Sequence, residues 1–273
     1  MTAGGAPGAR PDVLICAGLD PSGGAGLIAD VRVVSELGGR SVGVVTALTV
    51  QSTAAVLASE PVSAELVRAQ LELLLSDIEI RAVKIGLIGA SAVAESIGVA
   101  LALTQAPVVW DPVMHPSRGE LTFVDNLFGH AVIALAPHLT LLTPNAAELM
   151  VLAGKPIRSV ADARAAGQAL AAKLQCAVLA KGGHLGGADG DGSEESREAI
   201  DVLCFADRAE ELRLPRVPGG EHVHGTGCAL SSAIATHLAH GVALVDACRA
   251  AKAYVAAKIA APARPGRGAG TML

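Results

Sequence analysis

The sequence predicts an α/β fold, with a mostly parallel central sheet covered by helices on both faces. Short β-branched runs alternate along the 273 residues with segments of helical periodicity, as expected when helices join parallel strands. Hydrophobic residues make up 51% of the chain and aromatic residues only 2%, a composition that suits close packing of helices on a sheet.

The first half of the chain alternates strands with helices. Residues 12–18 are predicted to form a buried strand, and the helix that follows ends at the glycines of positions 38 and 39. Ser63 is the expected N-cap of the helix over 62–78. The other predicted elements are strands over 41–50, over 82–88 and up to Asp111, and a helix over 91–103.

The second half continues this alternation and ends in two helices. Strands are predicted over 139–145 and 177–183, and helices from Ala146 onward and over 159–174. Residues 200–206 and 209–214 are expected to pair antiparallel, before helices over 225–241 and 244–260. The polar, glycine-rich segment 185–199 is expected to be a mobile surface loop.

Charge and cysteine content exclude several classes of function. A net charge of −5 provides no basic field for nucleic acid or an anionic membrane. Five cysteines without CxxC spacing form neither a complete disulfide framework nor a zinc motif. No apolar run approaches the ~20 residues of a membrane span, and the first residues lack a signal-peptide core. We therefore expect a cytoplasmic protein with a flexible leader over 1–11, one domain over 12–262 and a flexible tail over 263–273.

Polar residues gather where the predicted strands end. The segments concerned are AGLDPSGGAGLIAD at 17–30, Gln51, Asp111, TPNAAE at 143–148, KGGH at 181–184 and HGTGC at 224–228. In folds of this class, ligands bind beyond the carboxyl ends of the parallel strands. Six such segments on one rim therefore predict a single shared site.

The segment HGTGC begins a helix with glycines. Free backbone N–H groups and the positive end of the helix dipole favour phosphate there, and a glycine-rich turn capped by Thr226 is the structural alternative. Cys228 falls in the first helical turn, where the pKa of a thiol is lowered. The alternative for Cys228 is a small buried residue.

Asp111 and Glu148 each follow an apolar strand, where a carboxylate can face a nucleotide-bound Mg²⁺. The structural alternatives are a turn before Pro112 for Asp111 and compensation of the helix dipole for Glu148. Lys181 is placed to meet a nucleotide phosphate or to end its strand with the ammonium in water. GxGxxG is absent, which argues against a dinucleotide fold, and GxxxxGK[ST] is absent, which excludes a P-loop.

Taken in order, seven motifs resemble those of one kinase family: AGLDPSGGAGLIAD, TALTVQS, VKIGLIG, VVWDPVM, LLTPNAAEL, VLAKGGH and HGTGCALSSAIA. The chain resembles the hydroxymethylpyrimidine/phosphomethylpyrimidine kinases of thiamine biosynthesis, members of the ribokinase-like superfamily, from about residue 13 to about residue 260. The resemblance implies a three-layer α/β fold, a homodimer, and the use of ATP and Mg²⁺. It implies phosphorylation of 4-amino-5-hydroxymethyl-2-methylpyrimidine, and then of the monophosphate to the diphosphate.

The resemblance also implies roles for individual residues. By position, Gly18, Ala25, Asp30, Val50, Gln51 and Leu87 bind the pyrimidine; Asn145, Lys181 and Gly183 bind ATP; Asp111 and Glu148 hold the metal; Gly225, Thr226 and Gly227 form the anion hole; and Cys228 acts as the base or its substitute. Leu19 departs from the family, which commonly has Ser or Thr there, and we expect it to affect substrate preference.

Two alternative functions fit the same residues. A pyridoxal or pyridoxine kinase also phosphorylates a CH₂OH group on a nitrogen heteroaromatic ring, so the same rim serves both reactions. A non-catalytic pyrimidine sensor is the second alternative. A binding protein does not need the carboxylates, Lys181 and HGTGC together, which argues against the sensor.

Overall fold

The computed structural model describes residues 10–113, 127–183 and 197–272. The strands in this part of the chain are β1 (Asp12–Leu19), β2 (Arg40–Gln51), β3 (Val56–Pro61), β4 (Ile80–Ile85), β5 (Val108–Trp110), β6 (Leu141–Leu142), β7 (Ala177–Ala180), β8 (Glu198–Cys204), β9 (Ala209–Pro215), β10 (Val223–His224) and β11 (Gly270–Thr271). Residues 1–9 of the predicted leader and 185–196 of the predicted loop lie outside the described residues.

The described helices are α1 (Gly26–Glu36), α2 (Ala64–Asp77), α3 (Ser91–Leu101), α4 (Leu127–Leu135), α5 (Ala146–Ala153), α6 (Val160–Leu174), α7 (Thr226–Ala239) and α8 (Leu244–Ile259). Ser63 caps α2 as predicted, because its side chain accepts a hydrogen bond from the Leu66 backbone N–H. No helix within the described ranges has the length and apolar character needed to cross a membrane.

The main sheet has the strand order β3-β2-β1-β4-β5-β6-β7-β8-β9. The six strands from β2 to β7 in this order pair in parallel, and β3, β8 and β9 pair antiparallel at the two edges. The predicted mostly parallel sheet and the late antiparallel pair are therefore confirmed. The hairpin partner β3 was not predicted. Apolar and polar residues do not alternate regularly in its sequence VLASEP, and the sequence ends in proline.

Helices cover both faces of the sheet, as predicted. Side chains of β1 alternate between the two cores: Leu14 and Cys16 pack with α2 to α6, while Val13 and Ile15 pack with α1, α7 and α8. Apolar residues on both sides explain why the parallel strands are continuous hydrophobic runs rather than alternating ones. This arrangement leaves the carboxyl ends of the strands as the place where polar side chains meet.

The end of the chain differs from the flexible tail that we predicted over 263–273. Strand β11 pairs in parallel with β10, and Ala269 is buried and donates its backbone N–H to the Thr53 carbonyl oxygen at 3.1 Å. The approach is close: a Cβ atom at Gly268 would lie 1.9 Å from that same oxygen. Small residues near the end of the chain thus allow it to pack beside the loop after β2.

Candidate active site

A cavity of about 490 Å³ opens at the carboxyl ends of the parallel strands. Thirteen of the fifteen predicted site residues line it: Gly18, Ala25, Gln51, Leu87, Asp111, Asn145, Glu148, Lys181, Gly183, Gly225, Thr226, Gly227 and Cys228. These residues come from segments that lie more than two hundred positions apart in the sequence. The structure therefore brings the predicted rim together as one site.

Asp30 was expected to line the pyrimidine pocket, and the structure places it elsewhere. Its side chain is fully buried beneath the cavity, where one carboxylate oxygen accepts a hydrogen bond from Lys84 Nζ at 2.5 Å and the other accepts one from Ser232 Oγ at 2.8 Å. Asp30 is therefore a counter-ion that links α1 to β4 and α7. Its position on the inner face of α1 turns the carboxylate toward the sheet and away from the cavity.

Val50 was also expected near the ring, and it does not line the cavity. Successive side chains of a strand point to opposite faces, so Thr49 and Gln51 face the cavity while Val50 points away. The Val50 side chain is exposed on the β2–β3 hairpin. The register of β2 thus explains why one of two neighbouring residues reaches the site.

Lys181, Asp111 and Glu148 form a charged rim in the middle of the cavity. Lys181 Nζ lies 2.6 Å from Asp111 Oδ1 and 3.9 Å from Glu148 Oε2. Burial alone would lower the pKa of the Lys181 ammonium, but the charges of Asp111 and Glu148 outweigh it and raise the pKa above its ordinary value. The lysine therefore stays charged between the two carboxylates.

Glu148 has a structural role at the helix start, as the sequence left open, and Asn145 shares it. The Asn145 side chain accepts a hydrogen bond from the Glu148 backbone N–H at 2.9 Å, and Glu148 Oε2 accepts one from the Asn145 N–H at 2.7 Å. This capping box fixes the start of α5 at the cavity wall. Helix capping and site geometry are therefore served by the same two side chains.

The loop before α7 has the tight, glycine-dependent backbone that the sequence predicted at the start of this helix. Gly225 has φ of 84°, and a Cβ atom there would lie 2.0 Å from the Gly24 carbonyl oxygen. The helix begins at Thr226, and its first intrahelical hydrogen bond runs from Ala229 N to Gly225 O. The N–H groups of Thr226, Gly227 and Cys228 therefore have no intrahelical partner and lie at the positive end of the dipole.

The expectation of a lowered thiol pKa at Cys228 is wrong. Burial raises the pKa of this thiol to about 11, and the nearby Lys84 ammonium only partly offsets that effect. Desolvation is therefore the largest influence on this thiol. In the free enzyme near neutral pH, Cys228 carries a thiol rather than a thiolate.

Sequence reasoning missed several residues of the cavity wall. Lys84 lines the floor of the cavity, and its signal was a charged residue inside the apolar strand AVKIGLI. Asp20, Thr49 and His224 line the end that contains Gln51. Asp20 and His224 belong to the motifs DPSGG and HGTGC but were given no role.

The opposite end of the cavity has an apolar wall, with a buried ion pair beside it. Val217, Val255 and Ile259 line it. Beside them Lys252 Nζ contacts Asp201 Oδ2 at 2.6 Å, and Asp201 Oδ1 accepts a hydrogen bond from the backbone N–H that precedes Gly183. This buried pair joins α8 to the end of β7. It therefore fixes the loop that carries Lys181 and Gly183.

Comparisons with known proteins agree with this geometry. A family model for phosphomethylpyrimidine kinase matches residues 20–273. The hydroxymethylpyrimidine/phosphomethylpyrimidine kinase of Streptomyces coelicolor is 37% identical over 270 residues, which cover 99% of this chain and 96% of the relative.

Two solved structures are similar over nearly the whole chain. The phosphomethylpyrimidine kinase from Clostridium difficile superposes with a TM-score of 0.75 at 31% identity, covering 92% of this chain and 100% of that one. The pyridoxal kinase from Staphylococcus aureus in complex with AMP-PCP and pyridoxal superposes with a TM-score of 0.82 at 26% identity, covering 96% of this chain and 93% of that one. With the family model and the relatives taken together, this chain belongs to the phosphomethylpyrimidine kinase family and is a phosphotransferase of the ribokinase-like fold.

Proposed function

We propose that this chain transfers a phosphoryl group from ATP to 4-amino-5-hydroxymethyl-2-methylpyrimidine, and a second one to the monophosphate, for thiamine biosynthesis. The observation that carries the proposal is one continuous cavity with an amide-bearing end at Gln51 and a charged rim at Asp111, Glu148 and Lys181. The names of the relatives, which cover almost the whole chain, support the same reaction.

The two ends of the cavity suit two different substrates. Gly18, Ala25, Gln51 and Leu87 line the end that we assign to the pyrimidine. The other end has an apolar wall for a base, with Asn145, Lys181 and Gly183 between the two ends. ATP bound in this direction would place its phosphates beside Lys181 and the start of α7, because both carry positive charge.

The charged rim fits a magnesium ion. Mg²⁺ in kinases is bound by one or two carboxylates together with substrate phosphates and water, which is what Asp111 and Glu148 provide. We propose that these two carboxylates hold the ion, directly or through water, when nucleotide is bound. Once bound, the ion neutralises negative charge on the phosphates.

The transfer itself needs mainly positioning and charge stabilisation. The hydroxymethyl oxygen attacks the γ-phosphorus, the bond to the β–γ bridging oxygen breaks, and ADP leaves with the electron pair of that bond. The N–H groups at 226–228 and the Lys181 ammonium stabilise the negative charge on the transferred group. We assign the hydroxyl proton to Cys228 in its thiolate form, which is a small fraction of the enzyme near neutral pH because burial raises its pKa.

We also propose that the protein is a homodimer and cytoplasmic. Leu48, Val50 and Leu57 on the β2–β3 hairpin are 51%, 55% and 74% exposed, an apolar patch at the edge of the main sheet. A second copy of the chain covering this patch would bury these three exposed apolar side chains. Light scattering of the wild type and of Leu57→Glu tests the dimer, and a monomeric wild type would contradict it.

Pyridoxal kinase is the second candidate, because structures of that activity are similar to this chain over 96% of its length. ATP consumption by the purified protein with hydroxymethylpyrimidine, its monophosphate and pyridoxal in parallel separates the candidates. We expect turnover with both pyrimidines. Turnover with pyridoxal alone would contradict the proposal, and ring binding without any turnover would indicate a sensor.

A further inference from the structure

Four side chains form a connected series on the wall of the cavity that we assign to the pyrimidine. Thr49 Oγ1 lies 3.3 Å from the Gln51 amide oxygen Oε1, and the amide nitrogen Nε2 lies 3.2 Å from His224 Nε2. His224 Nε2 is also 3.6 Å from Asp20 Oδ2. The Gln51 amide is thus held between a hydroxyl and an imidazole.

The hydrogen bonding of the Thr49 hydroxyl determines which atom of the Gln51 amide faces it. Thr49 Oγ1 lies 2.8 Å from the Leu19 carbonyl oxygen, which can only accept a hydrogen bond. Because a hydroxyl has a single hydrogen, the shorter bond to Leu19 uses it. Thr49 can then only accept from Gln51, which requires the amide N–H rather than the amide oxygen to face it.

His224 leads to the same orientation of the amide from the other side. Asp20 accepts hydrogen bonds from the Ser22 backbone and hydroxyl and from the Ala25 backbone, at 2.7 to 3.0 Å. Burial alone would raise the pKa of the Asp20 carboxyl, but the adjacent His224 and the hydrogen bonds from Ser22 hold it below its ordinary value. The Asp20 charge lies 3.6 Å from His224 Nε2, beyond hydrogen-bond distance, so it favours the imidazole tautomer with its hydrogen on Nε2 and leaves that hydrogen to the nearer Gln51 amide at 3.2 Å.

The other imidazole nitrogen is consistent with that tautomer. His224 Nδ1 is buried and has no hydrogen-bond partner among residues 10–113, 127–183 and 197–272. An unpaired acceptor is tolerated better in a protein interior than an unpaired N–H donor. The ring is also held in place: β10 pairs with β11, and a Cβ atom at Gly24 would lie 3.0 Å from His224 Cδ2.

We propose that Thr49 and His224 act as positioning residues that select one orientation of the Gln51 amide, with Nε2 toward Thr49 and Oε1 toward His224, and so determine which heteroaromatic ring the cavity accepts. Thr49 accepts from one N–H and His224 donates to one lone pair of the oxygen. The outer edge of the amide keeps one N–H donor and one oxygen acceptor, side by side and in a fixed order.

That edge is complementary to one class of ring. An aminopyrimidine presents a ring nitrogen that accepts and a neighbouring amino group that donates, so both bonds form at once. Pyridoxal has no amino group beside its ring nitrogen and does not match the pair. The inference rests on the proposed pyrimidine substrate and deepens it, because it names the edge of the ring that is read.

The test compares two rings by calorimetry without ATP, so that it does not depend on turnover. The rings are the aminopyrimidine and the same molecule with hydrogen in place of the amino group. We expect the wild type to prefer the aminopyrimidine by about tenfold, the value of one hydrogen bond of about 1.4 kcal/mol. In Thr49→Val and in His224→Phe the preference should fall to about threefold or less.

Conservative variants distinguish the loss of a hydrogen bond to the Gln51 amide from a change in the shape of the cavity. Thr49→Ser keeps the hydroxyl and His224→Gln keeps an N–H near the same position, so both should restore most of the preference. His130→Phe is the matched control, since His130 is exposed on α4 outside the cavity. If His224→Phe does not fold, Thr49→Val decides the question alone.

Two outcomes would overturn the inference. One is an equal loss of affinity for both rings in the variants, which would show a structural effect. The other is a wild type without preference for the amino group. A wild type that binds the aminopyrimidine with the expected preference but does not consume ATP would instead contradict the proposed function and leave the inference supported.

Discussion

Replacing Lys84 with methionine tests whether Asp30 is a buried counter-ion. Both side chains are fully buried and their charged atoms lie 2.5 Å apart. Burial raises the pKa of the Asp30 carboxyl and Lys84 only partly offsets this, but Asp30 above all raises the pKa of the Lys84 ammonium against its burial. The 2.5 Å contact and the further hydrogen bond from Ser232 to the carboxylate favour the charged pair. Removing one partner of a buried pair leaves an uncompensated charge, which destabilises a protein by about 3–5 kcal/mol.

Urea unfolding followed by circular dichroism measures this loss. We expect Lys84→Met and Asp30→Asn each to lower the free energy of unfolding by about 3–5 kcal/mol at unchanged m value. The double variant Lys84→Met/Asp30→Leu should recover most of the loss, because neither charge remains. Ser232→Ala is a milder comparison, since it removes only one hydrogen bond to the carboxylate, about 1.5–3 kcal/mol.

One result would refute the reasoning about Asp30. If Asp30→Asn raised the KM for the pyrimidine about tenfold while changing stability by less than about 1 kcal/mol, Asp30 would be a ring ligand after all. That is the role which the family resemblance implied for it. The stability and the KM of one variant therefore distinguish the two assignments.

Four further predictions concern the reaction. With the pKa of the Cys228 thiol raised to about 11, a base role makes kcat rise about tenfold per pH unit between pH 7 and 9; Cys228→Ala should abolish this slope, and a slope that persists would contradict the role. Lys181→Met should lower kcat about 100-fold in a steady-state assay with little change in ring affinity, and an equal loss of ring affinity would argue against a phosphate role. Gly225→Ala places a Cβ atom 2.0 Å from the Gly24 carbonyl oxygen, so we expect lost activity and a lower Tm; wild-type values of both would disprove the tight loop contact. Gln51→Leu should weaken ring binding about tenfold by calorimetry, whereas comparable losses for ring and ATP would contradict ring recognition.

The sequence was sufficient to predict the layers of the fold and most of the site. Strands and helices differ in the period of their apolar residues, and Ser63 at the start of α2 is a local signal. Polar residues that follow buried strands lie at the same edge of the sheet, because the carboxyl ends of parallel strands meet there. The meeting of Asp111, Lys181 and the loop before α7 could therefore be predicted without coordinates.

The tertiary structure decided what each side chain does once it reaches the rim. Asp30 and Gln51 come from neighbouring elements, yet Asp30 turns beneath the cavity because its partners Lys84 and Ser232 lie more than fifty and two hundred residues away. The thiol pKa of Cys228 depends above all on burial, which no local sequence pattern specifies.

The sequence by itself thus determined which strand ends meet. The period of apolar residues and the order of strands and helices can both be read along the chain. Only the folded structure determined the orientation and charge of the side chains there. His224 shows the reason: its neighbours Asp20 and Gln51 are more than 170 residues away in sequence, and no local pattern specifies them. Packing between distant segments sets solvent access and hydrogen bonding, and these in turn set protonation and substrate contact.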